Sequence, residues 1–125
     1  MSIDSVLEEM RTRLEQGIKQ RLSGLQGMVV KPVYNSMMPM HVEMSLAPEI
    51  SEFVFLKDGV VELSHGAVSN VDVRIESDAQ TFISLFKSPS AALFKELEGQ
   101  GKIKITSLTK KGKDAEGYIR KYLTG

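Results

Sequence analysis

Two histidines, His41 and His65, are the only imidazoles this chain has for acid–base or metal chemistry. His41 falls on the polar side of an alternating segment, with Glu43 two residues on and therefore on the same strand face. One imidazole and one carboxylate fall short of the donor set a zinc site needs. His65 stands beside Gly66 in a turn, without a second ligand or a nucleophile at a useful spacing. No Gly-x-Ser-x-Gly elbow, His-Glu-x-x-His pair, Gly-x-x-x-x-Gly-Lys loop or Gly-x-Gly-x-x-Gly turn occurs. Gly99-Gln100-Gly101-Lys102 leads into a strand, so it lacks the helix N-terminus that lets a glycine loop hold phosphate. Tyr118 and Tyr122 share a helix with Arg120 and Lys121, at a spacing that sets tyrosines and charges on different faces and argues against nucleic-acid binding. With no cysteine, disulfides and thiolate metal sites are excluded. The expectation is a protein without catalytic residues, metal or cofactor.

Apolar surface is what the chain has in quantity, and the stretch from Ser77 to Ile105 concentrates it. It reads as two short amphipathic helices and a strand, with Phe82, Ile83, Leu85 and Phe86 on the first helix and Leu93, Phe94 and Leu97 on the second. Ser77 and Gln80 form a capping box, and Asp78 adds a carboxylate at the positive helix end. Ser88 caps the second helix, with Pro89 in its first position. Lys102-Ile103-Lys104-Ile105 then alternates basic and apolar faces. Such a wall either fills a core or lines a cavity, and residue types alone serve both.

The remaining elements must position that wall. Ile3, Val6, Leu7, Met10, Leu14, Ile18, Leu22 and Leu25 recur every three or four residues, which predicts one helix over 3–25, capped by Asp4 or Ser5 and ended by Gly24 and Gly27. Its stripe packs on its own domain or on a second copy. Val29 and Val30 suggest a short strand interrupted by Pro32 and again by Pro39, so an edge strand or an irregular segment is expected rather than a central strand. Met40, Val42, Met44 and Leu46 alternate with His41, Glu43 and Ser45 as a half-buried strand. Met37, Met38, Met40 and Met44 suit either a core gap or an adaptable apolar surface. Asp58-Gly59 predicts a tight hairpin between the segments 52–56 and 60–64. A turn over His65 to Asn70 returns the chain as Val71 to Ile75, so these three strands read as an antiparallel meander. Lys110 to Lys113 reads as a loop, and Asp114 as the cap of a last helix with Ala115, Tyr118, Ile119, Tyr122 and Leu123 on its apolar side.

Strands and helices are segregated along the chain, which predicts an α+β class with helices covering one face of a sheet. One domain spans 1–125: a long helix over 1–27, strands over 28–76, two helices over 77–98, a strand over 102–107 and a terminal helix over 113–124. At 42% hydrophobic and 26% charged residues, the composition is that of a folded globular chain rather than a disordered one. Asp4, Glu8 and Glu9 stand where a secretory signal would be basic and apolar, and no apolar run approaches a membrane span, so a cytoplasmic protein is expected. Net charge is zero, yet residues 101–125 hold seven basic residues against Asp114 and Glu116. That surplus suits an anionic head group or membrane surface, with a lysine-rich solvated face as the plain alternative.

The second half resembles the sterol carrier protein type 2-like family. The resemblance rests on the order of Val71 to Glu76, Ser77-Asp78-Ala79-Gln80-Thr81-Phe82 through Leu85-Phe86, Ser88-Pro89-Ser90-Ala91-Ala92-Leu93-Phe94 and Gly101-Lys102-Ile103-Lys104-Ile105, preceded by the Phe53 to Ser64 hairpin. It covers roughly residues 50–107. It implies a five-stranded, mostly antiparallel sheet covered by helices, with an apolar tunnel that carries a fatty acyl, sterol or isoprenoid lipid without catalysis. The tunnel lining it implies is Phe82, Phe86, Leu93, Phe94, Leu97, Ile103 and Ile105, with Tyr118, Ile119, Tyr122 and Leu123 from the terminal helix. A transient anionic membrane surface is the further partner, met by Lys110, Lys111 and Lys113. Two departures fall at the wall or mouth of such a tunnel: the segment Thr106 to Gly112 before a basic, tyrosine-bearing last helix, and the irregular methionine segment Asn35 to Met44. The rival reading is an interaction module with a filled core, which dimerises or docks on a partner enzyme through its N-terminal helix.

Overall fold

A computed structural model describes residues 2–66, 68 and 70–125. Helix α1, Ile3–Arg21, starts at Ser2, whose hydroxyl accepts from the Ser5 amide, so the cap lies before the expected Asp4 or Ser5. It buries Val6, Leu7 and Met10 and ends at Leu22, short of the predicted Leu25. A second helix, α2, Gly24–Ser36, follows directly; it contains Val29 and Val30, expected in an edge strand or irregular segment, and Pro32, expected to interrupt it. Pro32 removes one intrahelical hydrogen bond, a loss that an exposed helix can make good with water.

The sheet comprises β1 Met40–Ala47, β2 Glu49–Phe55, β3 Val61–His65, β4 Val73–Asp78 and β5 Ile103–Ser107, in the order β3-β2-β1-β4-β5. Asp58 and Gly59 both take positive φ between β2 and β3, as the Asp-Gly signal requires. The expected meander of the three strands over 52–75 is corrected. The meander is β1-β2-β3, while β4 crosses to the other side of β1 and pairs with it in parallel. The turn expected over His65 to Asn70 includes Ala67 and Ser69, which lie outside the described residues. Parallel pairing aligns Val42 with Val73 and Met44 with Ile75, so one apolar face continues across the crossover. Asp72 pins its start. The Asp72 amide donates to the His41 carbonyl at 2.9 Å, and the His41 amide donates to the Asp72 carboxylate at 2.8 Å.

Helix α3, Ala79–Lys87, is capped by Asp78, which accepts from the Thr81 amide and hydroxyl, rather than by Ser77, whose hydroxyl donates to the Lys102 carbonyl. Helix α4, Ala91–Gly99, is capped by Ser90, two residues beyond the expected Ser88. Helix α5, Lys110–Thr124, opens with Thr109 as its cap, so the expected loop over Lys110 to Lys113 is its first turn and Asp114 lies inside it. The Thr109 hydroxyl donates to the Asp72 carboxylate at 2.7 Å, and Gly112 sits where a Cβ would overlap the Asp72 carbonyl. Helices α1, α3, α4 and α5 pack on one sheet face, carried by Met40, Val42, Met44, Leu46, Phe53, Val73, Ile75, Ile103 and Ile105. His41, Glu43, Glu52 and Arg74 alternate onto the other face.

Candidate functional site

The sequence offered eleven residues as a single wall. The structure places them in four settings. Phe82, Phe94, Ile103 and Ile105 are buried in the core between helices and sheet. Leu93, Leu97 and Ile119 are half-buried against that core. Tyr118 belongs to neither, being 71% exposed. It sits at the edge of an arc in which Ala115, Ile119, Tyr122 and Leu123 face inward, so helical geometry turns its ring to water.

Phe86, Tyr122 and Leu123 do meet, at a cleft of about 160 Å³ completed by Arg13, Leu85 and Pro89. Three elements build it. Helix α3 supplies Leu85 and Phe86, α5 supplies Tyr122 and Leu123, and α1 lays Arg13 across them. Leu85 and Leu123 are buried, whereas Phe86 and Tyr122 are half-buried, so the cleft runs from the core's edge to the surface. The Arg13 guanidinium stands 5.1 Å from the centre of the Phe86 ring, within cation–π range. It also bonds the Glu9 carboxylate at 2.7 Å. Burial raises the pKa of the Tyr122 phenol, with the nearby Arg13 charge acting in the opposite sense and Glu9 in the same sense. Arg13 and Pro89 escaped sequence reasoning. An arginine four residues after Glu9 reads as an ordinary exposed helix pair, and nothing local says what lies beneath it.

The polar candidates stay apart. On the outer sheet face the His41 Nδ1 is 3.5 Å from Glu52, and Arg74 bonds Glu43. His65 shares a hydrogen bond with Ser51 at 3.0 Å. Among the described residues, no three His, Asp or Glu side chains are placed to hold a metal, and no helix is long and apolar enough to cross a membrane.

Neither a scan against protein-family models nor a search of curated proteins gives a match. Solved structures do resemble the chain. A UbiJ-SCP2 ubiquinone synthesis protein matches with 9% identity over 93% of this chain and 96% of that one, at a TM-score of 0.53. The solution structure of palmitated SCP2L2 from Aedes aegypti matches with 12% identity over 100% of this chain and 96% of that one, at a TM-score of 0.54. A sec-alkylsulfatase from Pseudomonas sp. matches more weakly, with 18% identity over 62% of this chain and 12% of that one, at a TM-score of 0.44. The element order and the mixed, mostly antiparallel five-stranded sheet agree with the first two over nearly their full lengths. The chain therefore has the sterol carrier protein type 2-like fold.

Proposed function

We propose that this protein binds and carries a single-chain lipid without acting on it chemically, working in the cytoplasm and exchanging its ligand at membranes. The observation that carries the reading is the apolar cleft between α1, α3 and α5, with one cation at its rim. On this fold one solved neighbour is described as palmitated, which supports an acyl chain as the ligand class. The cleft holds about 160 Å³. An engineered apolar cavity of roughly 150 Å³ already binds benzene, whereas drug-sized sites start at roughly 300 Å³. The cleft therefore accepts the leading part of a chain. The remainder gains room as the half-buried Phe86 and Tyr122 swing outward. Each methylene that enters contributes about 0.8 kcal/mol. Arg13 stands where an anionic head group would end, and charge-assisted bonds to it would replace its bond to Glu9. Phe82, Phe94, Ile103 and Ile105 form the floor toward which the chain would extend.

The interaction-module reading draws no support from α1, whose stripe of Val6, Leu7 and Met10 is buried against the chain's own core. Titration with a fluorescent long-chain fatty acid, displaced by unlabelled palmitate, tests the carrier reading. Saturable one-to-one binding is expected, together with a lipid adduct in native mass spectrometry. A ligand-free protein that gives no saturable signal would sink it.

A further inference from the structure

Helix α2 carries its apolar side outward. Leu25 is 85% exposed, Met28 72%, Val29 74% and Val33 63%. Helical spacing gathers these four with Pro32 on one arc. The opposite side meets the body: Gly27 is buried against the Leu22 carbonyl, and the Tyr34 hydroxyl is buried. A contiguous apolar face of this kind on a polar rim marks a surface that something covers.

The charges around the face select the cover. From Gln16 to Val42 the chain has no carboxylate, while Lys19, Arg21 and Lys31 fall in that span. Lys19 pairs with Glu15 and Lys31 with Asp58, and Arg21 has no acid partner among the described ion pairs. The first turn of α2 holds no acid, and the Ser23 hydroxyl donates to the Gln20 carbonyl instead of capping the helix. Just past the other end, Lys111 donates to the Pro39 carbonyl at 2.6 Å, bringing up the first turn of α5 with exposed Lys110 and Lys113. Two copies meeting face to face through α2 would set these cations against one another, which is costly. The face also lacks the tryptophan, tyrosine and arginine anchors typical of protein interfaces. Helix α2 has 13 residues. At the rise of an α-helix that is a rod of about 20 Å, enough to lie in a membrane interface but not to span it.

We infer that α2 is a membrane-docking element, which seats Leu25, Met28, Val29 and Val33 at the acyl boundary of an anionic bilayer. Arg21 and Lys31, with the α5 lysines at the far end, meet lipid phosphates. Met28 also lines an open groove of about 410 Å³ with Leu22, Gly24, Gly27, Lys31, Pro32 and Asn35, room for one flank of the helix to settle among head groups. The inference rests on the carrier reading for its purpose, since a carrier must reach a membrane, but it concerns a different surface from the cleft.

The test is co-sedimentation of the full chain with phosphatidylcholine vesicles, with and without phosphatidylglycerol, in the absence of fatty acid. The wild type should bind the anionic vesicles preferentially and lose binding as salt rises. The double substitution Met28→Gln with Val29→Gln, at two outward positions, should weaken that binding at least about tenfold while leaving thermal stability unchanged. Equal binding of variant and wild type, or no preference for anionic vesicles, would overturn the inference. So would a wild-type dimer that the double variant dissolves, which would assign the face to a second copy. Fatty-acid titration without vesicles is read separately, so a failed cleft and a failed docking helix give different results.

Discussion

The guanidinium of Arg13 on α1 stands 5.1 Å above the ring of Phe86 on α3, and both border the same apolar cleft. A cation held there by one aromatic and by Glu9 has a ready exchange partner in a ligand carboxylate. Arg13→Gln is therefore expected to weaken fatty-acid binding about tenfold, the equivalent of one charge-assisted hydrogen bond, and to leave a fatty alcohol of equal length unaffected. Parallel titrations with the acid and the alcohol check this. Equal losses for both ligands would mean that Arg13 acts only by covering the cleft.

Asp72 is the polar joint of the fold and is 3% exposed. Its carboxylate accepts from the His41 amide and the Thr109 hydroxyl and lies 3.9 Å from the Lys111 ammonium, so it joins β1 to the start of α5. Asp72→Ala leaves those donors unpaired and should cost about 3 kcal/mol. Thr109→Val, which removes one of the bonds and the helix cap, should cost about 1–2 kcal/mol. Denaturant unfolding of the two variants would measure both, and near-equal stability of Asp72→Ala and wild type would refute the joint.

Tyr34 makes stability depend on alkaline pH. Its hydroxyl is buried under α2 without a hydrogen-bond partner among the described residues, and burial pushes its pKa from the ordinary 10 up to about 12. The folded value lies above the unfolded one, so the contribution is fully present below pH 10 and is lost as pH rises toward about 12. Tyr34→Phe should be close to neutral at pH 7, because the hydroxyl it removes has no partner among the described residues, and should flatten the alkaline loss. Chemical unfolding across that pH range, with tyrosinate absorbance followed in parallel, is the measurement.

Local order was legible where chemistry and spacing agree within a few residues. The alternation of Met40, Val42, Met44 and Leu46 marks a strand face wherever the strand is placed, and all four are buried. Asp58-Gly59 marks a turn because both residues must take positive φ, and both do. Helix starts were harder. At Ser77-Asp78 and at Ser88 to Ser90 two capping side chains stood close together. At the first of these a contact from outside the helix made the choice: Ser77 was drawn off to the Lys102 carbonyl, which left Asp78 to cap. At Thr109 the deciding partner was Asp72, far away in the chain.

From its sequence alone, this protein was determined to be an α+β domain with abundant apolar surface and without a recognisable catalytic constellation. Periodicity and turn residues report what each segment prefers within its own few turns, whereas each helix cap fell on a residue other than the one expected. The tertiary structure decided which surfaces those preferences are spent on. It set β4 parallel to β1, buried Phe82 and Phe94 in the core, and left the cleft between Phe86, Tyr122 and Arg13. It also turned the apolar arc of α2 to the outside. The physical reason is that the hydrophobic effect is non-directional. A pattern records that a side chain gains by leaving water, whereas the partner that covers it depends on every other element competing for the same face.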